Sequence, residues 1–350
     1  MMSIISRKTV ALVIALIFLL ALSFSLTNQA KANSIEIRKR IKIAVSISAL
    51  KEIIEEAIGP SAEVEVLLPE GAEPHLFQVT SSIVERASSS DLIVHTGHFN
   101  FEYKIVEAVK KPSIGLEEFR KRGLILLRYP GSEEENPHGY WLYPHNSLVI
   151  AEAVVDKLIS MDPIHAEVYM ESLELFKERL KKLEREFSRA KSHYGLEKLK
   201  VIASSPAEQY LVEALGMSVI AFISKGHSVL MSGREMQTIE ERLRKGEYDF
   251  IVISDVSEAS KIGDFARELS LDTGVPTLKF SVVSTEGFPS YSSHMFYNLG
   301  CVISALKSKS EVKSSKSIFP SRLILSILTS LTIIAFIEGV LLIKVWKKVS

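Results

Sequence analysis

From about Lys42 to Leu306 the chain alternates short apolar runs with amphipathic stretches. Ile41 to Ser46, Val64 to Leu68, Leu92 to His95 and Leu124 to Arg128 are brief and aliphatic, and each reads as a buried strand. Leu50 to Ile58, Thr80 to Ala87 and Phe101 to Val109 lie between them with apolar residues at helical spacing, and Gly59 ends the first. The same rhythm resumes after residue 200. Val201 to Ala203, Val219 to Phe222, Phe250 to Ser254 and Thr277 to Phe280 read as strands. Helices are expected near Ala207 to Leu215, Glu235 to Lys245 and Glu258 to Leu269. Two βαβ series predict two α/β lobes, each with a mainly parallel sheet.

One long helix is expected to join them. Asp162 suits the N-cap and Pro163 the first helical position. Tyr169, Leu173, Phe176, Leu180, Leu183 and Phe187 then recur at spacings of four and three. They form one stripe along a helix of roughly thirty residues, about 45 Å long. A coiled-coil dimer would show the same stripe. A stripe this narrow also suits a helix packed along two lobes of a monomer, which is the expectation.

The ends carry different signals. Arg7 and Lys8, the apolar run Val10 to Leu22, and Ala30-Lys31-Ala32 read as a secretory signal cleaved after Ala32; an uncleaved anchor is the alternative. Leu323 to Val345 is long enough to span a bilayer, with Trp346, Lys347 and Lys348 at the far interface. Glu338 inside it either meets a permease or reaches the interface near Lys344. The expected organisation is therefore a signal peptide at 1–32, an N-terminal lobe at 33–147 and connecting helices at 148–199. A C-terminal lobe at 200–306, a Ser/Lys-rich tether at 307–322 and a C-terminal transmembrane helix at 323–345 complete it.

Composition narrows the function. The 42 basic and 42 acidic residues balance, which argues against a nucleic-acid binder. Cys301 is the single cysteine, so no disulfide forms within the chain.

Ligands of open α/β lobes bind beyond the carboxyl ends of the strands, so the loops there hold the candidate chemistry. Pro69-Glu70-Gly71-Ala72-Glu73-Pro74-His75 follows the second strand, and Thr80-Ser81-Ser82, Gly97 and Glu102 come after it. Asn136-Pro137-His138-Gly139-Tyr140-Trp141-Leu142-Tyr143-Pro144-His145-Asn146 lies further along. Together these segments resemble the zinc- and manganese-binding proteins of ABC uptake systems, over most of Lys42 to Leu306. The resemblance implies that His75 and His138 take the places of the first two metal ligands. It places Ser205 and Lys279 where that family carries a third histidine and a carboxylate. A hydroxyl is a poor zinc ligand and an ammonium would repel a dication. His227, Glu208 and Glu286 lie near cleft-side loops and are the candidates to complete the site. His95, His98 and His145 fall near the mouth and are not assigned.

The implied function is an extracytoplasmic receptor, not an enzyme. It would capture zinc or manganese as cargo and pass it to an ABC permease with its ATPase. A surface adhesin or sensor on the same scaffold, with weak or no metal binding, is the alternative. No zinc-protease helix motif, nucleophile elbow or phosphate-binding loop is present.

Overall fold

The computed structural model describes residues 19, 23, 40–224, 232–283 and 288–318. The first lobe runs through β1 (Ile41–Val45), α1 (Ser48–Ile58), β2 (Ala62–Val66), α2 (Ser81–Ser88), β3 (Leu92–Val94), α3 (Asn100–Val109), β4 (Ser113–Ile114) and α4 (Leu116–Lys121). Two helices then connect the lobes: α5 (Pro144–Met161) and α6 (Ala166–Tyr194). The second lobe contains β5 (Lys200–Ala203), α7 (Gln209–Ala214), β6 (Ser218–Phe222), α8 (Gly233–Arg244), β7 (Phe250–Ser254), α9 (Asp255–Glu258), α10 (Lys261–Thr273), β8 (Thr277–Phe280) and α11 (Tyr291–Ile318).

Each lobe has a four-stranded parallel sheet, ordered β2-β1-β3-β4 in the first and β6-β5-β7-β8 in the second. The echo extends to single residues. Asp91 accepts from the Lys42 backbone N–H at 2.9 Å, and Asp249 accepts from that of Lys200 at 3.1 Å. In both lobes an acid before the third strand holds an N–H at the start of the lobe's first strand. The order places the switch point beside the first strand of each lobe, and loops of the two lobes meet where Asn136 Nδ2 donates to the Pro206 carbonyl at 2.9 Å.

The stripe of α6 is buried in full, from Tyr169 through Phe187. Each such side chain contributes about 1.5–3 kcal/mol when removed from water. It packs on α1 and α5 in the first lobe and on α11 in the second. Packing along both lobes accounts for a stripe that a coiled coil would also carry. Its start differs from expectation. A 3₁₀ turn at Pro163–His165 precedes the helix, and the Asp162 carboxylate binds His165 Nδ1 at 2.6 Å and the Tyr169 hydroxyl at 2.9 Å.

Two further expectations are corrected. Leu124 to Arg128 is not a strand of the sheet; β4 takes that place. The run meets side chains instead: Asn146 Oδ1 accepts from the Ile125 N–H at 2.9 Å, and the Tyr210 hydroxyl accepts from the Leu127 N–H at 2.8 Å. The Ser/Lys-rich stretch is not a free tether from residue 307. α11 continues to Ile318, and Lys309 is held by Asp249 at 2.9 Å and lies over the Phe250 ring. Among the described residues no helix is long and apolar enough to cross a membrane. Apart from residues 19 and 23, the expected signal at 1–32 lies outside the described residues, as does the apolar segment at 323–345.

Candidate metal site

Three loops of the first lobe bring three imidazoles together. His75 sits on the loop from β2 to α2, His98 on the loop from β3 to α3, and His138 on the segment leading to α5. The rings of His98 and His138 are 4.2 Å apart between centroids, His75 and His98 5.1 Å, and His75 and His138 5.4 Å. One nitrogen from each lies within 4.8 Å of the other two, and all three residues are half-buried. Zinc bound at 2.0–2.1 Å to each nitrogen separates tetrahedral donors by about 3.4 Å. Small side-chain rotations close that gap, so the three suit a single ion.

The loops are held by identifiable contacts. The His98 loop is gathered around Glu102, a buried carboxylate. Glu102 accepts from the backbone N–H groups of Thr96 at 2.8 Å, His98 at 3.0 Å and Phe99 at 3.0 Å, and from the Thr96 hydroxyl. Gly97 turns this loop at φ 67°, and a Cβ there would stand 2.8 Å from Leu116 Cβ. His75 packs edge-on against Phe99, 4.8 Å between ring centroids. Asn136 Oδ1 accepts the His138 backbone N–H at 2.9 Å. His138 Nδ1 lies 3.2 Å from Asn136 Oδ1 and 3.2 Å from the Tyr129 hydroxyl. With Nδ1 so engaged, Nε2 is the nitrogen that could coordinate an ion. The Tyr140 hydroxyl donates to the Thr96 carbonyl at 2.9 Å and ties the His138 segment to the His98 loop.

The facing loops of the second lobe carry different chemistry. Ser205 follows β5, and its buried Oγ has no hydrogen-bond partner among the described residues. Glu208 is not gathered with the histidines. Its carboxylate accepts from the Ser204 N–H at 2.7 Å, the Ser205 N–H at 3.3 Å, the Ser257 hydroxyl at 3.4 Å and the Ser204 hydroxyl. Complete burial pushes its pKa up to about 7, against the lowering effect of these donors. Lys279 is placed at the surface. It stands inside β8 between buried Leu278 and Phe280, so strand alternation turns it outward to pair with Glu258. The residue beyond that strand is Ser281, whose hydroxyl donates to Asp255 at 2.8 Å. His227 and Glu286 lie outside the described residues.

His98 is the member that the sequence reading passed over, alongside His95 and His145. His95 is half-buried with its ring against Gly115, and burial lowers its pKa. His145 Nε2 lies 3.1 Å from the Gly123 carbonyl oxygen. The signal for His98 was its place one residue after Gly97 and four before Glu102, directly beyond a strand at the switch point.

Residues 43–304 match the family described as zinc-uptake complex component A, periplasmic (ZnuA). The chain is 25% identical over 284 residues to the manganese ABC transporter substrate-binding lipoprotein PsaA of Streptococcus anginosus, covering 77% of this chain and 90% of that one. It is 28% identical over 194 residues to the iron-binding protein YfeA of Yersinia pestis, covering 55% of this chain and 62% of that one. Its fold superposes on FpvC from Pseudomonas aeruginosa in complex with Mn2+ with a TM-score of 0.64 and 22% identity, over 77% of this chain and all of that one. With the family match spanning residues 43–304, the chain belongs to the ZnuA family of metal-binding ABC transporter substrate-binding proteins.

Proposed function

We propose that this protein is the extracytoplasmic receptor of an ABC importer that takes zinc as cargo, binding it at His75, His98 and His138 and delivering it to a permease driven by its ATPase. The observation that carries this reading is the convergence of three imidazole nitrogens within 4.8 Å. Neutral imidazoles favour zinc, whereas manganese prefers carboxylate and water oxygens, and no carboxylate joins the cluster among the described residues. The protein acts as a monomer. The segment at 1–32 directs export and the apolar segment at 323–345 tethers the body to the membrane. A receptor that keeps three converging imidazoles is favoured over a surface adhesin without cargo.

Titration calorimetry on the full chain with zinc and with manganese tests this. The expected result is one-to-one zinc binding, tighter than manganese by about tenfold or more, and lost in a His75→Ala, His98→Ala variant. A wild-type chain that takes up neither metal would sink the receptor reading.

A further inference from the structure

The three histidines belong to one lobe, yet His138 reaches the other through its neighbours. Its Nδ1 lies in a fork of two oxygens, Asn136 Oδ1 and the Tyr129 hydroxyl, each 3.2 Å away. Both forks touch the second lobe. The Asn136 amide is wholly buried, and its Nδ2 donates to the Pro206 carbonyl at 2.9 Å and to Gln209 Oε1 at 2.9 Å. The Asn136 carbonyl accepts from the Tyr210 hydroxyl at 2.5 Å. Gln209 Nε2 returns a bond to the Arg128 carbonyl at 2.8 Å. The Tyr129 ring meets Phe222 at the end of β6, 6.0 Å between centroids. Nδ2 faces two oxygens while Oδ1 faces the His138 N–H, so the network assigns the amide's orientation.

A neutral imidazole that coordinates through Nε2 carries its proton on Nδ1, where it must donate. Without an ion, Nδ1 is free to accept from the Tyr129 hydroxyl instead, and the bond to Asn136 Oδ1 is not required. Loading the site therefore adds a donor toward a side chain that clasps both lobes. Resting on the zinc-receptor reading, we propose that Asn136 is the positioning residue through which a metal on His138 tightens the docking of the C-terminal lobe. Lobe docking then reports cargo, although that lobe adds no ligand to the cluster among the described residues. Linkage makes the effect reciprocal: contacts from Gln209 and Pro206 to Asn136 raise metal affinity without touching the ion.

The test is hydrogen exchange by mass spectrometry on the full chain with and without zinc, alongside zinc titration. In the wild type, zinc is expected to slow exchange in the 206–212 segment. Gln209→Ala leaves every contact of His138 in place; it should weaken zinc about fivefold and remove the zinc-dependent protection at 206–212. Asn136→Ala should weaken zinc by about 10–100-fold and remove the same protection, with its melting curve showing that it folds. If Asn136 serves structure alone, Gln209→Ala binds zinc like the wild type and keeps the protection; that result overturns the proposal. So does wild-type zinc binding with no change at 206–212. A wild type that binds no zinc removes the receptor reading and this one with it.

Discussion

In the N-terminal lobe the loop leaving β3 is gathered around buried Glu102 and carries His98 outward. In the C-terminal lobe the loop leaving β5 is gathered around buried Glu208 and carries Ser205. Both lobes share a strand order and an aspartate on an N–H at the start of the lobe's first strand. The carboxylate in each loop satisfies backbone donors that would otherwise be stranded at a strand end. What separates the lobes is the side chain the loop presents: imidazole on one face, hydroxyl on the other. The N-terminal lobe carries the cluster of three imidazoles, and the C-terminal lobe contacts the segment that bears His138.

The largest test of this division is ligand removal. His98→Ala should weaken zinc binding by at least about 100-fold, while Ser205→Ala changes it less than about threefold; calorimetry reads both. Equal losses in the two variants would show that the lobes share the site.

Docking comes next. Gly139 has φ 81°, and a Cβ there would lie 2.2 Å from the Ala207 carbonyl oxygen across the lobe boundary. Gly139→Ala should therefore destabilise the protein by about 2–4 kcal/mol in urea unfolding. An unchanged midpoint would mean that the lobes approach less closely than this contact requires.

The two buried carboxylates provide a third contrast. Folding raises the Glu208 pKa from an ordinary 4.5 to about 7. The folded state then holds this proton more tightly than the unfolded chain does. The stabilisation is fully present below about pH 4.5 and is lost as pH rises through about 7, a change of about 3 kcal/mol. Glu208→Gln should flatten stability across that window. A mutant that keeps the wild-type slope would show that another group sets it.

The smallest effect is expected at Lys279. Its pair with Glu258 is exposed, so Lys279→Met should shift stability by less than about 1 kcal/mol and leave zinc affinity unchanged. A gain in affinity would bring this ammonium back toward the site.

Short aliphatic runs and the period-three-to-four pattern determined the two lobes, the bridging helix and its buried stripe, because burial is written into residue order. The motifs that carry the family resemblance likewise pointed to His75 and His138, which the fold brings beside His98. Tertiary structure decided the rest. The run at Leu124 to Leu127 is as aliphatic as a strand, but Asn146 and Tyr210 satisfy its backbone from elsewhere. Glu208 looked free to bind an ion until burial and the Ser204 donors engaged it. Lys279 left the site through strand alternation, which depends on where β8 begins and ends. His98 joined His75 and His138 because three loops distant in sequence converge at one switch point. Convergence of that kind is a property of sheet order, and sheet order is fixed only when the strands pair.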